Sequence, residues 1–200
     1  MKWAMLVLSL LFSLPAIAAE PDLGQKTITK GQILRGQFNE ERILQGFNAP
    51  LKSNGHFVIA PEYGLIWSTD KPFAITTIIK PTGLTQKVNG KQTMDLPAEK
   101  VPFMTRLYNM LGGTLAGNWV ALDADFIVTK SGTDNKWQVT LEPRQKDNIS
   151  MPFSLITVTG SQFVDHVVMQ KADGDLDSIN FLNQKLSTSP LTAEEAAELK

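Results

Sequence analysis

Histidine, cysteine and clustered carboxylates build most metal and catalytic sites, and this chain is poor in the first two. It contains two histidines, His56 and His166, and no cysteine. A zinc site would therefore need carboxylates to complete its ligands, and no H-E-x-x-H or similar spacing occurs. We expect neither a metal nor a cofactor, and no catalytic role for either histidine.

One acidic motif begins like a calcium loop, Asp173-Gly174-Asp175-Leu176-Asp177. Its sixth position is Ser178 and its twelfth is Gln184, so it lacks both the turn glycine and the bidentate carboxylate of such loops. We interpret it as a hairpin turn. No G-x-S-x-G nucleophile elbow occurs either. The sequence thus predicts a protein that is not an enzyme; a secreted hydrolase is an alternative for which no activated nucleophile can be found.

The first residues are typical of a cleavable secretory signal. Lys2 supplies a positive charge, residues 4–14 form an apolar stretch too short to span a bilayer, and Ala16-Ile17-Ala18 is an A-x-A cleavage site. We predict a signal peptide over residues 1–18, with cleavage after Ala19 or a buried N-terminal strand as alternatives. No second segment of membrane-spanning length is present, so an exported, soluble protein is expected.

Residues 19–200 are enough for one domain with a sizeable core. Without Lys2 the formal net charge changes from −1 to −2. A net charge this close to zero does not favour binding to nucleic acid or to an anionic membrane. The absence of cysteine means that the core must stabilise the domain without disulfides.

Most of the chain has the pattern of short antiparallel strands. From Gly36 to Trp67, apolar runs flank Ser53-Asn54-Gly55, which predicts a hairpin turn. A second hairpin is predicted at Asn89-Gly90, between strands 84–88 and 92–96. A short helix within residues 23–35 is weakly indicated, although Gly31 opposes it.

Two stretches have helical patterns. Residues 97–111 repeat apolar side chains every three or four positions, as on one face of a helix, and a shorter helical piece is possible over 115–123. Thr192 and Glu195 form a T-x-x-E capping box that opens a helix over 193–199. Strands over 126–130, 136–142, 151–159, 163–171 and 176–182 complete about ten or eleven strands, in one sheet with a helical insertion.

A sheet of this size needs its apolar face covered, because soluble monomers avoid large exposed apolar patches. If the sheet curls, the helix over 97–111 becomes a lid above a hydrophobic cavity that flexible methionines could adapt to different ligands. If it does not, the same residues form one dry core. The pattern alone leaves both alternatives open.

Several motifs, in their order and spacing, resemble the periplasmic outer-membrane lipoprotein carrier family LolA, and more closely its divergent LolA-related branch. They are Phe38-x3-Arg42, Pro50-Leu51-x-Ser53-x-Gly55-x-Phe57, Pro61-x5-Trp67-x4-Pro72, Trp119-x2-Leu122-x3-Phe126, Trp137-x3-Leu141-x-Pro143 and the final Asp173-Gly174 hairpin.

This resemblance implies a mainly β fold: an unclosed antiparallel β-barrel, or half-barrel, of about eleven strands with a helical lid. It implies a monomeric periplasmic carrier that takes acyl chains of lipoproteins, or another amphiphilic lipid or polyene, from an inner-membrane donor to an outer-membrane acceptor. In the familiar carrier, an arginine before the proline of an early strand gates the cavity. The matching position here is Ala60.

We predict that one set of apolar residues lines the cavity or the lid: Phe57, Ile59, Leu65, Trp67, Ile75, Met94, Met104, Leu107, Trp119, Trp137, Val139 and Leu141. A second hypothesis keeps the fold but not the cargo. In it, the protein is a non-enzymatic lipid-sensing or scaffolding partner of an envelope complex and uses the same surface for protein contacts.

Overall fold

The computed structural model describes residues 25–100, 119, 122–133, 135–144 and 152–199. These residues form one antiparallel sheet of eleven strands in the order β6-β5-β4-β3-β2-β1-β11-β10-β9-β8-β7. The strands are β1 (Ile33–Ile43), β2 (Leu51–Ala60), β3 (Gly64–Lys71), β4 (Ile75–Lys80), β5 (Gly83–Val88), β6 (Lys91–Pro97), β7 (Phe126–Thr133), β8 (Lys136–Pro143), β9 (Leu155–Gly160), β10 (Val164–Gln170) and β11 (Leu176–Ser187).

The sheet consists of two meanders joined at its centre. β1 to β6 form one and β7 to β11 the other, and β1 pairs with β11 so that Phe38 lies opposite Phe181. The outermost strands, β6 and β7, are not paired with each other in the described sheet, which therefore stays open. The predicted mainly β, unclosed architecture of about eleven strands is confirmed.

The hairpin predicted at Asn89-Gly90 is confirmed. Asn89 has φ 49° and Gly90 has φ 76°, and β5 pairs with β6 across them. Positive φ at both central residues is the geometry of a two-residue type I′ turn, which Asn and Gly adopt at low cost. The Asp173-Gly174 turn between β10 and β11 is also confirmed, with Gly174 at φ 90°.

The hairpin predicted at Ser53-Asn54-Gly55 is wrong, because β2 runs unbroken from Leu51 to Ala60 and the chain turns earlier, over 44–50. Gly55 serves another purpose. A Cβ at this position would collide with the backbone carbonyl of Ser68 on β3, where the register of the two strands shifts. Glycine is thus required for close approach of two backbones. His56, expected beside a turn, lies within a strand.

The short helix within residues 23–35 is also wrong for the part that the structure describes. Residues 25–32 are irregular and β1 begins at Ile33. Of the helix predicted over 97–111, the structure describes only the start: β6 ends at Pro97, and Ala98–Lys100 form one 3₁₀ turn. Residues 101–111 and most of 115–123 lie outside the described residues.

The C-terminal helix α1 (Ala193–Leu199) begins as its capping box predicts. The Thr192 N–H donates to Glu195 Oε2 at 2.8 Å, and the Glu195 N–H donates to Thr192 Oγ1 at 3.2 Å. Both bonds satisfy donors that a helix start leaves free. The helix packs on one face of the first meander, where Leu199 joins the buried residues Ile33, Val58, Ala60, Ile66 and Ile78.

Side chains alternate between two faces, so each strand contributes to both. We call the face carrying α1 the outer face. The opposite face, the inner face, carries the larger core, which extends across ten of the eleven strands. Its members on the strands include Leu34, Phe38, Phe57, Ile59, Leu65, Ile79, Leu84, Phe126, Trp137, Val139, Leu141, Ile156, Val158, Val164, Val167, Ile179 and Phe181.

Candidate functional site: the apolar inner face

The sheet curves toward its inner face, as the aromatic contacts there show. Phe38 on β1 stacks on Trp67 on β3 with ring centroids 3.9 Å apart, and Trp67 meets Phe181 on β11 at 6.1 Å. These pairs are two and three strand spacings apart, about 10 and 14 Å in a flat sheet. In a flat sheet these rings would have to lean far across the strands between them, so their contact indicates that the strands bend toward this face. The alternation in the sequence could not decide which face is concave; the structure does.

Two glycines leave room for aromatic rings on this face. A Cβ at Gly36 would lie 2.6 Å from the ring of Phe57, and one at Gly160 would overlap the indole of Trp137. Each glycine pairs directly with the aromatic residue on the neighbouring strand. The rings therefore lie over the glycine backbone.

The second meander holds two tryptophans whose polar edges are satisfied. Trp119 lies outside the strands and packs on Trp137 with centroids 5.7 Å apart. Its Nε1–H donates to Gln25 Oε1 at 2.8 Å, while the Trp137 Nε1–H donates to the carbonyl of Ser161. A buried indole needs such a partner because its N–H cannot reach water. These bonds fix both rings at one end of the inner face.

The structure brings most of the predicted site residues together. Phe57, Ile59, Leu65, Trp119, Trp137, Val139 and Leu141 are buried in the inner core, and the half-buried Trp67 packs against it. Ile75 is half-buried and alternates with Ile79 on the same face, but it is outside the cluster. Met94 is 41% exposed on the edge strand β6. Met104 and Leu107 lie outside the described residues.

Sequence reasoning missed several members of this surface, among them Phe38, Val158 and Phe181. Strict alternation in β9, where Ile156, Val158 and Gly160 are buried and their neighbours are not, could have identified Val158. Phe38 and Phe181 become neighbours only because the first and last strands pair, and no local pattern carries that information.

A polar row ends the apolar surface beyond Phe38 and Phe181. Arg42 Nε–H donates to Asp177 Oδ1 at 2.8 Å, and Lys171 Nζ lies 3.2 Å from Asp177 Oδ2. Ser53 Oγ–H donates to Glu40 Oε2 at 2.7 Å. Asp177 is only 5% exposed, and the positive charges of Arg42 and Lys171 compensate its buried carboxylate. Burial opposes the charge of Arg42, but Asp177 and Glu40 still raise the pKa of its guanidinium.

Neither histidine lies on the inner face. His56 is exposed, 3.3 Å from Asp70, and His166 Nε2 lies 2.8 Å from Ser178 Oγ on the outer face of β10 and β11. A serine bonded to histidine has the spacing of a nucleophile and its base, but no carboxylate among the described residues orients the ring. Nor does any group of three His, Cys, Asp or Glu residues within the described ranges have a geometry that could hold a metal ion.

Ala60 belongs to the outer face. It is 1% exposed and packs with Val58, Ile66 and Leu199 beneath α1. The arginine that gates the cavity of the familiar carrier therefore has no counterpart at position 60 of this protein. Among the helices of the described part, none is long and apolar enough to cross a membrane.

Comparison with known structures finds several matches at low sequence identity. A LolA superfamily protein from Nitrosomonas europaea is 10% identical, with 82% of this chain and 90% of that chain covered and a TM-score of 0.43. A putative outer membrane lipoprotein-sorting protein domain from Vibrio parahaemolyticus is 9% identical, with 84% and 90% covered and a TM-score of 0.40.

One chain in the complex structure of Pseudomonas aeruginosa MucA/MucB is 10% identical to this protein, with a TM-score of 0.38. The match covers 82% of this chain but only 54% of that chain. The comparison with curated protein sequences finds no match.

A family model described as "Outer membrane lipoprotein carrier protein LolA-like" matches residues 15–162, well over half of the chain. That range contains the aromatic residues of β1 to β3 and both tryptophans of the second meander. The protein belongs to this LolA-like family, as a divergent, LolA-related member.

Proposed function

We propose that this protein is a non-enzymatic carrier of the bacterial envelope that binds acyl chains of lipoproteins or lipid-like amphiphiles on its inner face. In this proposal residues 1–18 are removed on export, and the domain moves cargo through the periplasm from an inner-membrane donor to an outer-membrane acceptor. The observation that carries it is the continuous apolar cluster that covers the inner face of an open sheet of eleven strands. Membership of the LolA-like family supports it.

The energetics of such a surface fit reversible binding. Burial of an acyl chain gains about 0.8 kcal/mol for each CH₂ removed from water, so a long chain gains several kcal/mol. Part of this gain is offset, because contacts such as Phe38 on Trp67 must open to admit the chain. An apo state that closes on itself lowers the net affinity and permits hand-off.

The polar row gives the bound amphiphile a direction. Acyl carbons would lie along the aromatic rings of β1 to β3, and the polar head would lie near Arg42, Glu40 and Lys171, where the apolar surface ends. The half-buried Ile75 and the exposed Met94 would form the rim on the β6 side. In this proposal the helix predicted over 97–111, which contains Met104 and Leu107, covers the acyl chain bound on the inner face.

A charge on the inner face tests the proposal. Trp67→Glu should reduce binding of a fluorescent fatty acid at least tenfold, because Trp67 is central to the surface yet only half-buried, which favours a folded variant. The matched control is Thr157→Glu, also at a half-buried position, on the outer face of β9. It should bind as the unmodified protein does. Circular dichroism establishes that both are folded.

Equal binding by a folded Trp67→Glu variant would contradict the proposal. Native mass spectrometry of the protein isolated from the periplasm gives an independent test, since a carrier should retain an amphiphile. A stable protein complex without any lipid would instead favour the lipid-sensing or scaffolding alternative.

A further inference from the structure

The pairing of β11 with β1 contains a bulge at the centre of the sheet. Between the paired positions β1 has one residue, Gly36, whereas β11 has two, Asn183 and Gln184. Asn183 has φ 52°, a left-handed conformation that is uncommon outside glycine. A bulge changes the face to which the side chains point, and bulges are frequent beside functional sites. The irregularity therefore directs particular side chains.

The partners of the two bulged side chains place them on opposite faces. The Asn183 Nδ2–H donates at 2.6 Å to Oε1 of Gln37, which alternates with the inner-face Phe38. Gln184 turns inward. Its Cγ lies 3.2 Å from the place where a Cβ on Gly36 would be, and the ring of Phe57 borders the same place. Gln184 thus brings an amide into the apolar inner face.

Only one half of this amide is satisfied. The Gln184 Nε2–H donates to the carbonyl oxygen of Val164 at 2.7 Å. Its Oε1 is buried, and no donor in the described part of the chain lies within hydrogen-bonding distance of it. Rotating the amide by 180° would place this oxygen against the Val164 carbonyl oxygen, so the orientation is fixed. A buried acceptor without a partner is costly and calls for an explanation.

A bound molecule explains the free acceptor better than a buried water does. A water inside a protein needs about two to four polar partners. The residues shown around the Gln184 side chain are Gly36, Phe57 and Val164, none of which has a polar side chain, and the Val164 carbonyl already accepts from Nε2. A donor carried by the cargo needs only Oε1 itself.

The position of Gln184 indicates which part of the cargo it meets. Gly36, beside it, is six residues from Arg42 on β1, or about 20 Å along a strand that rises 3.3 Å per residue. Arg42 belongs to the polar row, where the proposed function places the polar head. The donor must therefore lie along the acyl chain. A hydroxyl suits this place, because an amide would also bring a carbonyl oxygen that needs its own donor.

We propose that Gln184 selects cargo whose acyl chain carries a hydroxyl along its length, with Oε1 accepting a hydrogen bond from that hydroxyl. This inference rests on the proposed function, since it concerns cargo bound on the inner face. It adds a polar specificity residue to a surface that otherwise recognises only apolar groups.

Three fatty acids of equal chain length test the inference on the unmodified protein: stearic acid, 12-hydroxystearic acid and 12-oxostearic acid. Displacement of a fluorescent fatty acid measures their affinities. The hydroxyl can donate to Gln184 Oε1, whereas the ketone at the same carbon is also polar but has no hydrogen to donate. The hydroxy acid should bind at least fivefold more tightly than the oxo acid.

A variant assigns this preference to the residue. Gln184→Met keeps the length of the side chain and removes the amide, so the hydroxy and oxo acids should then bind within twofold of each other, while stearic acid is still bound. The matched control is Gln138→Met, the same change on the outer face of β8, where Gln138 alternates with Trp137 and Val139. It should keep the full preference for the hydroxy acid.

The possible results separate the two proposals. Binding of stearic acid together with equal binding of the hydroxy and oxo acids by the unmodified protein would overturn this inference alone. An unchanged preference in a folded Gln184→Met variant would likewise overturn it, because the hydroxyl would then be recognised elsewhere. Failure of all three acids to displace the fluorescent fatty acid would overturn the proposed function, and this inference with it.

Discussion

Gly36 and Gly160 determine how closely aromatic rings approach the strands on the inner face. At each position the ring of a directly paired residue, Phe57 or Trp137, occupies the space where a Cβ would be. Such packing leaves no tolerance for an added methyl group, because protein interiors are filled to crystal-like density. The aromatic packing on the inner face thus requires glycine at these two positions.

A double-mutant cycle tests this packing. Gly36→Ala should lower the free energy of unfolding by about 1–3 kcal/mol, since the new methyl group forces the Phe57 ring to shift. In a Phe57→Leu background the same change should cost much less, because the colliding ring is gone. Chemical denaturation of the four proteins measures both values. Additive costs would show that Gly36 is needed for a reason other than this contact.

Two Asn-Gly pairs show what local sequence can and cannot predict. Asn89-Gly90 forms a turn with both residues at positive φ, as predicted, whereas Asn54-Gly55 lies inside β2. The dipeptide permits a turn, and the neighbouring strands decide whether it is used. At Gly55 the competing requirement is the close passage of the Ser68 carbonyl, which depends on how β3 pairs with β2 and cannot be seen in the residues around Gly55.

At the scale of the elements, α1 gives the outer face of the first meander its cover. Leu199 packs against Ile66 and Ile78, and two ion pairs tie the helix to the sheet. Arg35 Nε and Nη2 donate to the two carboxylate oxygens of Glu195 at 2.7 and 2.6 Å. Lys87 Nζ donates to Glu198 at 2.6 Å. The capping box predicted where this helix begins, but the position of Arg35 opposite it follows from the tertiary fold.

The Arg35–Glu195 pair makes stability depend on pH. The hydrogen bonds from Arg35 hold the pKa of Glu195 below its ordinary value of 4.5. A carboxyl with a lower pKa in the folded than in the unfolded state stabilises the fold above pH 4.5, and this contribution is lost as the pH falls through the folded pKa.

Glu195→Gln should isolate that contribution, because glutamine can still complete the capping box but carries no charge. The variant should be less stable by about 1 kcal/mol at neutral pH, as expected for a half-buried bidentate pair. The difference should shrink as the pH falls below 4.5 and should vanish below the lowered pKa of the folded carboxyl, where the unmodified side chain is also protonated. Denaturation across this range measures it; a constant difference would mean that charge is not what Glu195 contributes.

At the scale of the whole molecule, the inner face collects the tryptophans. The chain has four, and the three that follow the predicted signal peptide, Trp67, Trp119 and Trp137, all belong to the inner core or pack against it. The intrinsic fluorescence of the mature protein therefore reports on this surface alone.

This distribution predicts the response to a brominated fatty acid, which quenches fluorescence only at short range. Binding on the inner face should quench most of the tryptophan emission, and the quenching should saturate with the occupied fraction. A brominated fatty acid that binds without quenching would contradict the assignment of cargo to the inner face.

The overall architecture was predictable from alternating strands and turn residues together with the family resemblance, but the arrangement of the surface was not. Trp137, Val139 and Leu141 alternate visibly with polar neighbours, so their common face could be predicted. Met94 looked equivalent in sequence, yet it is exposed, because β6 is an edge strand that no further strand covers. Strand order decides such cases, and the spacing of residues within one strand does not encode it.

The pairing of β1 with β11 has a consequence for how the molecule forms. Phe38 and Phe181 are neighbours at the centre of the sheet, although more than a hundred residues separate them in the chain. Local hairpins such as β5–β6 can form early. The pairing of β1 with β11 can form only after nearly the whole polypeptide has been synthesised, and closing so long a loop is slow. Until then the chain has an open strand edge and unburied rings at its middle, the state in which it is most exposed to aggregation and most in need of protection by other proteins.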